Sequence, residues 1–213
     1  MMKRYREIFK SILTLTFKGE DLVIQDYANL QSVVDLFESK EKMLKFYSQS
    51  EYAVAAIKNK TRFQIKMNEL KFLPPESLGF SLYQHIATLG DSYSELSSLP
   101  ANTDYDYIAA HLYESHDVWH AVLGLNTSID DEVNLQAFLA AQSPGYLFNS
   151  FCVLHLIGVL FFRPSQLMNR SRALYQFHQR GKKAKHLFGV DWNQFMSVDL
   201  NLVRAKFGIT AST

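Results

Sequence analysis

The stretch His116-Asp117-Val118-Trp119-His120, with Glu132 twelve residues beyond His120, places four metal-competent side chains within seventeen residues. On a helix His116 and His120 share one face, a turn apart, and Asp117 falls three residues before His120. The three then occupy an arc of roughly 100°. Glu132 cannot join them on the same straight helix, where it would lie roughly 18 Å along the axis. The intervening residues supply a turn. Gly124 suits a left-handed cap, Asn126, Thr127 and Ser128 are N-cap types, and Asp130, Asp131 and Glu132 place acid in the first turn of a second helix. The spacing predicts a helical hairpin that can fold Glu132 back opposite the two histidines.

The hydrophobic faces agree. Ile108, Leu112, Trp119 and Val122 form an apolar stripe on the first helix, which starts at a capping-box-like Thr103 and Asp106. The His116, Asp117 and His120 arc lies on the flank of that stripe. On the second helix Glu132 falls among Ile129, Leu135, Gln136 and Leu139. An inward carboxylate is costly unless paired or metal-bound. Two imidazoles and one or two carboxylates suit Zn²⁺, with non-haem Fe²⁺ as the alternative. Asp117 is either a fourth ligand or the group that orients a histidine. The competing reading is an ordinary pair of surface or core histidines.

Helical periodicity runs through most of the remaining chain. Tyr27, Leu30, Val33, Val34 and Phe37 recur at helix spacing, Met43, Leu44 and Phe46 follow, and Ser50 can cap a helix carrying Ala53, Val54 and Ile57. Pro74-Pro75 opens a helix with Leu82, Tyr83, Ile86 and Leu89, closed by Gly90. Pro164 opens a long basic helix, and a short one spans 197–206. No alternating strand run of useful length is present. The expectation is an all-α, single-domain bundle of roughly eight to ten helices over residues 1–213, with a metal site on the hairpin and an apolar lipid pocket.

Two segments carry further expectations. Residues 1–19 combine Lys3, Arg4, Arg6 and Lys10 with Ile12, Leu13, Leu15 and Phe17. They read as a surface helix, or as an amphipathic helix lying on an anionic membrane. No cleavable signal or long presequence is evident there. The apolar run 146–162 is interrupted by Asn149, Ser150 and His155 and falls short of a membrane span. It reads as a buried central helix, and also as a wall for an isoprenoid tunnel or a membrane-docking face. The basic segment after it brings Arg163 and Arg170 forward as partners for a carboxylate, because a guanidinium fork binds that group in two places. His155 joins them as a substrate-binding candidate, against its reading as a hydrogen-bonded core histidine.

Composition narrows the classes. A net charge of +1 argues against nucleic acid as a partner. The single cysteine, Cys152, excludes an internal disulfide and a Cys-based metal site.

At the His-Asp-x-x-His-x11-Glu motif the chain resembles the coenzyme Q (ubiquinone) biosynthesis protein 4 family. The resemblance extends to 73–79, Leu-Pro-Pro-Glu-Ser-Leu-Gly, followed by Tyr83. It includes Trp119 and Gly124-Leu125 around the motif, the run Arg180 to Trp192, and Phe207-Gly208-Ile209. It covers roughly residues 20 to 209. The resemblance implies a zinc site at His116, Asp117, His120 and Glu132, and ubiquinone-type quinone synthesis. It also implies association with other quinone-biosynthesis proteins at a membrane, and handling of polyprenylated intermediates. Removal of the aromatic ring carboxylate is implied too, with or without hydroxylation at that carbon.

Three functions compete. In the first the chain is a metal-dependent decarboxylase, a lyase acting on a polyprenyl hydroxybenzoate, with His116, Asp117, His120 and Glu132 as its catalytic and metal residues. In the second it is a non-catalytic lipid-binding scaffold. The third is an HD-type phosphohydrolase, for which His85 and Asp191 would complete the site while His120 and Glu132 go unexplained. A homodimer is compatible with all three. The expected location is the cytoplasm or the cytoplasmic membrane face in a bacterium, or the matrix side of the mitochondrial inner membrane in a eukaryote.

Overall fold

Helix follows helix through residues 40–89, 99–143 and 146–210, the residues that a computed structural model of the protein describes. They form ten α-helices and two short 3₁₀ turns. No strand occurs among the described residues, and two extended stretches touch at a single bridge between Ser77 and Asp199. The all-α expectation holds. The N-terminal segment 1–19, the periodic residues Tyr27 to Phe37, Gly90 and the Pro144-Gly145 break lie outside the described residues. The described residues divide into two compact units, one taking in 40–43 with 129–182 and the other 44–128 with 183–210.

The second unit contains the histidine motif. Its helices, after α1 (Lys40–Tyr47), are α2 (Glu51–Asn59), α3 (Met67–Leu70), α4 (Leu78–Ala87), α5 (Asp104–Glu114), α6 (His116–Leu123) and, near the C-terminus, α10 (Leu200–Phe207). Local chemistry sets many of their ends. The Ser50 side chain caps α2 by accepting from the Ala53 amide. Thr103 and Asp106 form the expected capping box on α5. Gly124 adopts φ 71° and ends α6, and the next amide, Leu125, donates to the His120 carbonyl at 3.0 Å. Arg204 of α10 donates to the Val122 carbonyl at 2.7 Å and the Ala121 carbonyl at 3.3 Å, serving the otherwise open end of α6.

Two local expectations change. The motif helix is two helices, because Ser115 (φ −89°, ψ −6°) interrupts it between α5 and α6. Ser115 is fully buried, and its hydroxyl lies 3.5 Å from His111 Nε2, one turn back. Pro74-Pro75 does not open α4 directly. Ser77 caps it, and the Leu78 and Gly79 amides donate to the carbonyls of Val198 and Met196.

The core of this unit includes Leu78, Leu82, Ile86, Tyr107, Ile108, Trp119, Val122, Leu123 and Trp192, all nearly inaccessible. Each large apolar side chain of this kind contributes roughly 1.5–3 kcal/mol on burial. Glu114 is also buried, held by a two-point contact with the Arg62 guanidinium and by the Phe63 amide.

In the first unit, α7 (Ile129–Gln142) packs on α8 (Leu147–Phe162), and α9 (Leu167–Lys183) follows the 3₁₀ turn Pro164–Gln166. On α9, Arg170, Leu174, Phe177 and Gly181 are buried at helical spacing, and its other faces are mostly polar, with Met168 and Tyr175 exposed on them. Gly181 admits the backbone of α7: a Cβ there would lie 2.4 Å from the Phe138 carbonyl oxygen. Gln142 reinforces the contact by donating to the Gly181 carbonyl at 2.8 Å. The central-helix reading of 146–162 is corrected. Phe148, Phe151 and Val159 are buried, but Val153, Ile157, Leu160, Phe161 and Phe162 are exposed.

Candidate metal centre

The first turn of α6 carries His116 and Asp117, and its last turn carries His120. The four-residue spacing holds despite the break at Ser115, since both histidines lie on the C-terminal side of it. Their ring centroids are 4.7 Å apart. His120 is fully buried, whereas His116 and Asp117 are partly exposed. The helix therefore turns one imidazole into the core and leaves the other at its rim.

Asp117 and His116 are paired, with Oδ1 and Nδ1 3.1 Å apart. Burial pushes the Asp117 carboxyl up. The hydrogen bond from His116 and the charges of His116, His85 and His120 outweigh that and hold it below the usual carboxylate value.

Glu132 lies in the first turn of α7, after the exposed linker residues Asn126, Thr127 and Ser128. His116, His120 and Glu132 each offer one ligand atom, and these atoms lie within 4.8 Å of one another. Asp117 is not a member of this candidate triad. Two imidazole nitrogens and a carboxylate oxygen are donor types that Zn²⁺ and non-haem Fe²⁺ both take. The chemistry of the donor set fits either ion.

His85 comes to the same place. It is buried on α4, and its ring stacks on His120 with centroids 4.8 Å apart and planes 22° from parallel. The phosphohydrolase reading names His85 for this place, but the motif itself gives no signal of it, because His85 lies thirty-five residues before His120 and meets it through packing of α4 on α6. Asp191, the other residue required for the phosphohydrolase reading, caps the 3₁₀ turn Trp192–Phe195 and accepts from Asn193 and Gln194.

Arg163, Arg170 and His155 also gather, around Asp130. The Asp130 carboxylate lies 3.5 Å from each guanidinium and 3.6 Å from His155 Nε2. Burial, and then the positive charge of Arg170, push His155 down to about 4, so the imidazole is neutral near pH 7. Cys152 is half-buried, and burial raises its thiol to about 12, which leaves it unreactive. A separate cavity of about 420 Å³ is lined by residues including Phe46, Tyr47, Tyr52, Lys185, His186 and Phe188, and by none of the motif residues.

An all-helical chain that groups two histidines and a glutamate on successive helices defines a class: helical proteins with a candidate divalent-metal centre. Residues 24–213 match the family described as Coenzyme Q (ubiquinone) biosynthesis protein Coq4, and the chain belongs to that family.

Among its relatives is a mitochondrial ubiquinone biosynthesis protein COQ4 from Paracoccidioides lutzii, 26% identical over 153 residues. That match covers 68% of this chain and 50% of the relative. The Clavispora lusitaniae protein of the same description is 27% identical, over 70% of this chain and 47% of its own length. The chain thus spans about half the length of these relatives. A crystal structure from Nostoc punctiforme PCC 73102, of a protein described as a candidate ubiquinone biosynthesis protein, superposes with a TM-score of 0.78. It covers 97% of this chain and 99% of that one at 16% identity, a likeness of fold.

Proposed function

We propose that this protein acts in ubiquinone-type quinone synthesis, and that His116, His120 and Glu132 hold one divalent ion, zinc first and iron as the alternative. The observation that carries the reading is the grouping of these three ligand atoms within 4.8 Å, in a chain whose family is named for that pathway. The Asp117 contact with His116 Nδ1 leaves Nε2 as the nitrogen for the ion and fixes the plane of the ring. Asp117 is then the orienting group rather than a fourth ligand.

The substrate we propose is a polyprenylated hydroxybenzoate, and the reaction is loss of its ring carboxylate as carbon dioxide. The bound ion would supply Lewis acidity toward that carboxylate. Departure of carbon dioxide leaves an electron pair on the ring carbon, which a proton must meet. Replacement by oxygen instead requires an oxidant, and zinc has no redox chemistry. Arg163, with a side chain 44% exposed, is the most accessible of the three substrate-binding candidates and the better placed of the two cations for an anionic group; Arg170 and the neutral His155 are 10% and 7% exposed.

Among the described residues no helix is long and apolar enough to cross a membrane. The exposed Leu160, Phe161 and Phe162 at the end of α8 support contact with a polyprenyl tail or a membrane surface. The same feature supports the second reading, a lipid-binding scaffold for other quinone-biosynthesis proteins.

The test is to incubate the zinc- or iron-loaded chain with a prenylated 4-hydroxybenzoate and measure carbon dioxide release. His116→Ala, His120→Ala and Glu132→Ala proteins, checked for retained helicity, are run alongside. Release by the wild type alone supports catalysis. No release from any of them, with retained binding of the lipid, favours the scaffold.

A further inference from the structure

Arg170 is a charged residue with a side chain only 10% exposed, and it has partners on two other helices. Its Nη2 donates to the Asp130 carbonyl at 2.9 Å and to the Asn134 side-chain oxygen at 3.1 Å. Its Nε donates to His155 Nε2 at 3.3 Å and lies 3.5 Å from Asp130 Oδ1. A guanidinium removed from water is expensive unless its donors are satisfied in good geometry. Here the fork meets backbone, amide, imidazole and carboxylate together.

The position of the fork is specific. Asp130 and Asn134 lie two residues before and two residues after Glu132, so Arg170 grips α7 on both sides of that residue. His155 completes the grip from α8. Its Nε2 can accept from Arg170 only when the imidazole is neutral, and the burial of that ring keeps it so. A planar fork holds several acceptors in fixed directions, which a lysine ammonium does not.

We propose that Arg170, seated by His155, is a positioning residue that fixes the first turn of α7 and thereby the direction in which Glu132 is presented to the metal ion. This rests on the metal reading above. Groups that orient metal ligands typically contribute 10–100-fold to affinity.

The experiment uses the whole chain and Co²⁺ as a spectroscopic probe. Visible absorption titrations are run on wild type, Arg170→Gln, Arg170→Lys and His155→Phe, with amide hydrogen exchange of residues 131–134 measured on the same proteins without metal. Arg170→Gln is expected to weaken Co²⁺ binding about 10–100-fold, alter the absorption band and speed exchange in that turn. Arg170→Lys keeps the charge and is expected to recover little of either. Should Arg170→Gln fail to fold, His155→Phe and Asn134→Ala, which each remove one arm of the grip, carry the same comparison. Wild-type Co²⁺ affinity and wild-type exchange in the variants would overturn the positioning role alone. A wild-type chain that shows no Co²⁺ spectrum would overturn the metal reading and this inference with it.

Discussion

The imidazole of His85 lies flat against that of His120, 4.8 Å between centroids, and so packs a residue of α4 directly onto a proposed metal ligand of α6. Both rings are buried, which limits the rotamers open to His120. His85→Ala should therefore cost about 2–3 kcal/mol through the cavity it leaves and weaken zinc binding as His120 gains freedom. His85→Phe keeps a flat ring and should lose less than half as much stability. Urea denaturation and a competitive zinc titration measure the two effects separately.

Glu114 and Arg62 supply a second prediction. The carboxylate side chain is 7% exposed and the guanidinium 28%, so removing the arginine strands a charge in the interior. Arg62→Met is expected to destabilise the fold by about 3 kcal/mol, the low end for a broken buried pair. The double variant Arg62→Met, Glu114→Met should be more stable than the single one, because no buried charge is left unmatched. Denaturation of the four proteins in a double-mutant cycle decides it.

The pH dependence has a definite sign. His111 is 1% exposed and accepts the Gly189 amide at 3.0 Å through Nε2. Burial, and then Arg62, push it from 6.5 down to about 4, and His155 is pushed down to about 4 by burial and Arg170. Between about pH 4 and 6.5 the unfolded chain binds more protons at these two positions than the folded one. Stability from them is complete above 6.5 and is lost as pH falls toward 4, by up to about 1.4 kcal/mol per pH unit for each histidine. Urea midpoints across this range should fall with pH, and His111→Gln should reduce the slope by about one proton.

Gly181 tests packing against helix propensity. Alanine is favoured over glycine by about 1 kcal/mol in a helix. A methyl group here, however, would meet the Phe138 carbonyl oxygen at 2.4 Å and Ala141 Cβ at 2.9 Å. Gly181→Ala is expected to lower stability by about 1–3 kcal/mol, read as a fall in thermal midpoint. An unchanged or higher midpoint would contradict the close approach of α9 to α7.

The metal reading makes its own thermodynamic claim. A ligand that binds the folded chain and not the unfolded one raises stability by about 2.7 kcal/mol at a hundred times its dissociation constant. Zinc should therefore raise the thermal midpoint of the wild type, and a chelator should lower it again. In Glu132→Gln, which removes the anionic oxygen, the rise should be much smaller.

Much of the local structure was legible in the residues themselves. The Thr103–Asp106 capping box, the Ser50 cap, the Gly124 stop and the acidic first turn of α7 appear where the sequence placed them. Each depends on partners three or four positions away. The His116 and His120 spacing was legible for the same reason, as was the family motif they belong to. The break at Ser115 was not, because a lone serine inside a helical run, with no glycine or proline beside it, carries no local stop signal. The exposed face of α8 was also hidden: a run of apolar residues does not specify which side a neighbour covers.

The sequence alone determined the helical class, several of the helix ends and the short-range placement of His116, Asp117 and His120, since hydrogen bonding and side-chain direction repeat along a helix with a fixed period. Tertiary structure alone decided that His85 would lie on His120 and that Arg62 would enclose Glu114. It also decided that Arg170 would reach across to Asp130 and Asn134. Those pairs are separated by thirty-five or more residues, and only the close packing of one helix against another determines which of many chemically suitable partners meet.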